Sequence, residues 1–309
     1  MLGCGGRARE PGSKAPESIC EFPGASAAGL PLEVSRFGSE AMGASSRAVY
    51  LAESRGEGRL VRAPRRGGGF TRIGSNLFDV EIRTSGADTY VIAQGFAGGG
   101  SALYRVSAAD ALVLLDGELR GANDLVITPT RLYLSDAYTG SVYRYDRNGK
   151  GRTLVADQVG TAHLAADGET LYYLAASTER TGLYRLESDL SSTLVWGSPL
   201  SSPSRLFFLD GLLYSAGLGL HAYDLAAQRE STVFDLPSGL DDVVRVDDTF
   251  YFTTGIFQGD FGRVPVSGGT AEILATELGY GGIASDGISV FYDSGSAALA
   301  FCPPTEEAP

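Results

Sequence analysis

One phrase recurs seven times along the chain: an apolar pair ending in Tyr or Phe, then a short polar or glycine-rich turn. It reads AVYLAES at Tyr50, DTYVIAQ at Tyr90, RLYLSD at Tyr133, TLYYLAA at Tyr172, LLYSAG at Tyr214, TFYFTT at Tyr251 and SVFYDS at Phe291, with spacings of 37 to 43 residues. A period near forty that contains only β-type signals holds about four strands, and a unit of that kind can bury its faces only against its neighbours. Each period parses alike. An alternating segment precedes the landmark (DVEIRTSGAD, DLVITPT, HLAADGE, RLFFLDG, VVRVDD, GIASDG) and reads as an inner strand. A third strand (LYRV, VYRYD, LYRLE, VPVSGG) and a fourth (TLVAD, TLVWG, TVFD, EILAT) follow. Period-two alternation gives each strand one face toward the next repeat.

The expected fold is therefore all-β: a seven-bladed β-propeller of four-stranded antiparallel blades, with six or eight blades as the alternatives. The seventh repeat stops after ALAFC, while LEVSRFG (32 to 38) is a strand without a blade. The expectation is that this N-terminal strand completes the last blade and closes the ring, removing the open edge that an incomplete blade leaves. Residues 1–29 then form a flexible leader or tether, 30–303 a single propeller domain and 304–309 a tail.

The 42 glycines and many Tyr and Phe among the 309 residues suit short strands and tight turns. A formal charge of −12, with Lys14 and Lys150 the only lysines, excludes a nucleic-acid partner unless a dense basic patch exists. The densest run, Arg62, Arg65 and Arg66, reads as a solvated hairpin. No apolar run reaches the length of a membrane-spanning helix. A monomer is expected.

The segment RLYLSDAYTGSVYRYDRNGKGRTLVAD (131 to 157) resembles a blade of the NHL, YWTD and YncE-like propeller group in its order of strand, aspartate-bearing turn, strand and glycine turn. The resemblance covers nearly all of residues 32 to 302 and implies a propeller that binds a ligand or a protein. The group also includes calcium-dependent lactonases and streptogramin lyases, so it allows an enzyme by analogy.

In a propeller, the loops that lead into the inner strands gather at one mouth of the central channel. Here they carry Asp79, Asn123, Asp124, His163, Ser204, Asp241, Asp242 and Tyr280. Carboxylates and one imidazole around an opening suit a small polar ligand or a hard cation such as Ca2+, although no cofactor is required. The competing reading is that Asp, Asn and Ser here bond their own turns. His163 falls in an inner strand and His221 in a third strand, so they do not share a site. GFAGGGS and RRGGGF lack the lysine and helix that phosphate binding needs, and no serine-nucleophile motif is present. No catalytic residue is assigned. Tyr104, Tyr143 and Tyr184, each followed by Arg, are expected to pack between blades with the arginine stems covering them.

These features favour a non-enzymatic binding or scaffold propeller with a broad loop-lined face and no buried pair of acids, presented to a protein or small polar ligand at the cell surface or in the periplasm. The alternative is a metal-dependent hydrolase or lyase of the lactonase and streptogramin-lyase type. Leu2-Gly3-Cys4-Gly5-Gly6 is similar to the end of a bacterial lipoprotein signal, which makes Cys4 a lipid-attachment candidate and the only membrane tether, although the preceding charged and apolar regions are absent. Cys20 and Cys302 are expected to form a disulfide across the ring ends, consistent with a periplasmic, cell-surface or secreted protein.

Overall fold

A computed structural model describes residues 32–35, 41–53, 58–65, 70–94, 100–160, 162–178, 180–197, 205–236, 238–255, 259–278, 282–294 and 298–302. Their strands form seven separate four-stranded antiparallel sheets. Blades 1 to 6 use consecutive strands, beginning with the inner strands Ala41–Ala44, Phe78–Ser85, Ala122–Ile127, His163–Asp167, Arg205–Leu209 and Asp242–Val246. Blade 7 takes three strands from the C-terminal end, Ile283–Ser285, Val290–Asp293 and Ala298–Phe301, and its fourth, Leu32–Ser35, from the N-terminal side. Leu32 pairs with Ala300 and Glu33 with Leu299, so the ring closes by the strand exchange that the incomplete seventh repeat requires.

The landmark aromatics occupy one register. Tyr50, Tyr90, Tyr133, Tyr172 and Tyr251 each stand on a second strand opposite an arginine of the third: Arg62, Arg105, Arg144, Arg185 and Arg263. The repeated Tyr-Arg dipeptide thus serves both faces of a blade, its arginine meeting the landmark ring while its tyrosine packs the other way. Tyr104 lies against the core around Tyr50 and Leu60. Tyr143 lies 4.1 Å under the Arg152 guanidinium, and Tyr184 stacks on Tyr173 at 5.4 Å.

Neighbouring blades approach closely. A Cβ on Gly43 would lie 2.4 Å from Cγ2 of Ile82, so glycine is what lets blades 1 and 2 meet there. At the closing junction, Met42, Leu51 and Val61 of blade 1 bury against Phe291, Ala300 and Cys302. Arg65 departs from the solvated-hairpin expectation. It is 7% exposed and pairs with Asp286, its Nε donating to Oδ2 at 2.9 Å. Asp286 is fixed in turn by the backbone N–H groups of Ile288 and Ser289, which donate to Oδ1 at 3.0 and 2.7 Å. A guanidinium thrown across from blade 1 therefore locks the turn of blade 7.

Removing one partner of this pair leaves a buried charge without compensation. Asp286→Ala is expected to cost about 3–5 kcal/mol in urea denaturation, while the apolar pair Arg65→Met with Asp286→Leu recovers most of that loss.

Candidate functional site

The inner strands share a register that the landmark rings define. The residues opposite those rings are Gly43, Arg83, Val126, Ala165, Phe207, Val244 and Ala284. Two residues earlier, toward the N-terminal end of each strand, stand Ala41, Glu81, Asp124, His163, Arg205, Asp242 and Gly282. Five consecutive blades thus put an ionisable side chain at one level of the channel, and the two blades at the closing junction put Gly and Ala there. Arg205 acts electrostatically on Glu81, and Asp242 on Arg83, although they belong to blades at least three places apart around the ring. Only side chains that face a common channel reach each other in this way.

Several of these groups bridge neighbouring blades. Asp124 accepts from the N–H of Leu125 at 2.9 Å, from the N–H of Leu164 in blade 4 at 2.7 Å, and from Arg83 Nη2 of blade 2 at 3.4 Å. Asp242 repeats the first contact, accepting from the N–H of Val243 at 2.8 Å. It also pairs with Arg205 of blade 5, whose Nη1 donates to the Val243 carbonyl at 3.1 Å. Asn123 hooks blades 3 and 4 together: its Nδ2 donates to Ala162 O at 3.4 Å, and its Oδ1 accepts from the Ser135 hydroxyl at 3.0 Å.

Glu81 is the perturbed member. Its Oε1 lies 2.6 Å from Arg83 Nη2 without hydrogen-bond alignment, and that oxygen is buried with no hydrogen-bond partner. Although 18% of its side chain meets the channel, the surrounding wall strips water from the carboxyl. Burial is the main cause that pushes it from the usual 4.5 to about 8; Arg83 opposes the rise, and contact with the Asp124 carboxylate adds to it. Glu81 and Asp124 form a buried acid pair, which corrects the expectation that a binding propeller would hold none. Burial lowers the pKa of His163 against the pull of Asp124, so its imidazole is neutral at neutral pH. Asp241 is raised by burial and by Asp242 beside it, and its Oδ2 is buried without a partner.

Of the residues picked out from sequence, Asp124, His163 and Asp242 share this level, while Asn123 and Asp241 precede it by one place. Asp79 is exposed, at a backbone φ of 44°, in the bulge where the register slips between Phe78 and Glu81. Glu81 lies beyond the bulge, two residues before Arg83 in unbroken register, and so stands at the channel level that Asp79 does not reach. Glu81, Arg83 and Arg205 were missed, and the signal that finds them is the spacing back from the landmark ring rather than turn composition. Ser204, Tyr280, Cys4 and Cys20 lie outside the described residues. His221 sits far from the channel, in the third strand of blade 5, with Glu230 at 3.4 Å and Asp235 at 4.0 Å. Among the described residues, no three His, Cys, Asp or Glu side chains converge as a metal would require.

No protein-family model and no curated protein matches the chain. Solved propeller structures do. Streptogramin B lyase matches with a TM-score of 0.62 at 13% identity over 88% of this chain and 96% of its own. A chain of the nidogen/laminin complex gives 0.56 at 12% over 74% and 92%, and puromycin hydrolase 0.57 at 16% over 90% of this chain. This chain spans about half of the hydrolase, 52% of its length. These likenesses establish the β-propeller fold, which enzymes and protein-binding proteins share.

The Glu81 carboxyl ionises near pH 4.5 in the unfolded chain and near 8 in the fold, so the unfolded chain holds fewer protons between those values. Its contribution to stability is therefore complete below about pH 4.5 and lost as pH rises through 8. Glu81→Gln, a neutral mimic, should flatten the pH dependence of stability across this window, gaining more than about 1 kcal/mol on wild type at pH 9. Denaturant melts at pH 5, 7 and 9 measure the difference, and parallel curves for the two proteins would count against the raised carboxyl.

Proposed function

We propose that this is a binding propeller that holds a small polar ligand at the channel mouth where the inner strands begin. The observation that carries the reading is the uneven ring of Glu81, Asp124, His163, Arg205 and Asp242, broken by Ala41 and Gly282. Charges of both signs line one arc, and small side chains leave room along the other. A ligand seated there meets Asp124, Arg205 and Asp242, whose directions are already fixed by bonds within and between blades, which reduces the ordering cost of binding.

A second reading has one observation in its favour. Glu81, with a pKa of about 8 beside Asp124, has the form of a carboxyl acid that could give up a proton in a hydrolase or lyase reaction. A metal such as Ca2+ would belong to this reading. Metal analysis of purified protein, followed by chelation and a thermal melt, separates the two: a retained ion whose removal lowers the melting temperature supports the enzyme. The binding reading expects no such change. It also expects a polar small molecule to raise the melting temperature of wild type while leaving that of Arg205→Leu/Asp242→Leu unmoved.

The reading extends to place. We infer an extracytoplasmic protein with Cys4 as its lipid-bearing tether, and a Cys20–Cys302 disulfide across the closing blade. The pairing is supported by the position of Cys302, which is 1% exposed, in the disulfide-bonded form, and next to the strand that Leu32–Ser35 joins. A loop of this length gives about 5 kcal/mol by the chain-entropy estimate, as an upper figure. Peptide mapping without reduction should recover Cys20 linked to Cys302. A Cys4–Cys302 peptide, or free thiol at Cys20, would refute both the pairing and the lipid anchor that needs Cys4 free.

A further inference from the structure

Six of the seven landmark rings are sealed: Tyr50, Tyr90, Tyr133, Tyr214, Tyr251 and Phe291 are at most 6% exposed. Tyr172 of blade 4 is the exception and stays partly open. It looks onto a cavity of about 570 Å³ between blades 4 and 5, within the size range of ligand sites. The cavity lies on the face where the inner strands end, opposite the channel mouth. Tyr172 and Phe208 form its floor, with ring centroids 4.5 Å apart, and Leu194, itself 50% exposed, forms part of its wall.

The junction between blades 2 and 3 shows what occupies the equivalent place. There Arg147, on the turn after the third strand of blade 3, lays its guanidinium 5.8 Å from the centre of the landmark Tyr90 ring. Its Nη2 donates to Asp88 at 2.6 Å, and its Nη1 donates to the Thr128 carbonyl at 2.8 Å. Arg105, the cross-strand partner of Tyr90, shares the same Asp88. In blade 5 the register that aligns Tyr145 with Tyr223 and Asp146 with Asp224 puts Leu225 where Arg147 stands. No arginine reaches Tyr172 from that place, and Thr170 stands where Asp88 does. The acid comes instead from Asp167, which holds the position of Asp286 at the closing junction, where Arg65 stands in the place of Leu225. Arg185 is the cross-strand partner of Tyr172 and is already paired with Glu187 through Nε at 3.0 Å and Nη2 at 2.8 Å. The Asp167 carboxylate lines the cavity. Gln228 lines it too, and its Nε2 is spent on the Val195 and Leu225 carbonyls, which leaves its amide oxygen for a donor.

We propose that this cavity binds the arginine side chain of a partner polypeptide, its guanidinium lying on the Tyr172 and Phe208 rings with Asp167 as counter-ion. An aromatic floor with a carboxylate beside it selects a planar cation. The net charge of −12 draws basic segments to the surface. The occupant is a polypeptide because the internal counterpart is an arginine delivered on a polypeptide turn. The site is independent of the channel mouth.

The test uses the full chain and three probes: a cyclic peptide that copies the turn from Tyr145 to Lys150, the same peptide with citrulline in place of arginine, and N-acetyl-arginine amide. Calorimetric titration should show the arginine peptide binding at least about tenfold more tightly than the citrulline peptide, which keeps shape and hydrogen bonding without the charge. Leu225→Arg supplies the missing side chain from within. It should fold with an unchanged or higher melting temperature and lose at least about tenfold in peptide affinity. Asp167→Asn should weaken binding several-fold. Equal binding of the citrulline peptide, undiminished binding to a folded Leu225→Arg, or no binding of the arginine peptide to wild type would each overturn the proposal. Binding of the amide but not of the peptide would overturn the assignment to a polypeptide.

Discussion

Everything in this molecule depends on the seventh junction. A blade buries its two apolar faces only against the blades on either side, so a ring lacking one junction exposes two faces at once and leaves a sheet edge open to pairing. The pairing of Leu32–Ser35 with Ala298–Phe301 and the buried Arg65–Asp286 contact both act at the seam between blades 7 and 1. The first ties the two ends of the chain into one sheet, and the second fixes how the neighbouring sheets are set against each other. Because both join residues distant in sequence, closing the ring carries the loop-closure entropy of nearly the whole chain.

The polar layer of the channel belongs to the same economy of junctions. Asp124 caps the Leu164 N–H, Arg205 reaches the Val243 carbonyl and Asn123 holds Ala162, so each of these side chains spans from its own blade to the next. Backbone groups at the start of an inner strand have no sheet partner on the channel side, and a polar side chain from the preceding blade satisfies them. The same need places ionisable groups at one mouth and holds them rigid. Binding capacity at such a mouth is thus a consequence of how the ring is bonded, and substitutions there affect stability and recognition together.

The ring was legible in the chain because its signal is repeated: seven aromatic landmarks at near-constant spacing define the blades, and the missing strand at one end matches the spare strand at the other. The site was legible only in part. Turn composition leads to Asp124, His163 and Asp242, which stand at strand starts where turn and channel positions coincide. It misleads at Asp79, which falls in the bulge two residues short of the Glu81 level, and it passes over Arg205, which looks like an ordinary strand residue. Arg65 was misread for the opposite reason. Its partner Asp286 lies 221 residues away, and no local pattern distinguishes an arginine that will be buried from one that will be solvated.

Repetition also makes departures meaningful. Where seven units must satisfy the same packing, a position that differs in one unit is either compensated nearby or left open. Gly43 is compensated, since Ile82 fills the space its side chain would take. Ala108, Ser188 and Val266 hold the position of Leu225 in blades 2, 4 and 6, and the rings they face are sealed. The ring that Leu225 faces remains partly open, with Asp167 beside it in the place of the Asp286 that pairs with Arg65. A blade that keeps the surroundings of an arginine and omits the arginine itself is organised for one that comes from elsewhere, and that argument rests on the protein's own internal comparison rather than on likeness to any other propeller.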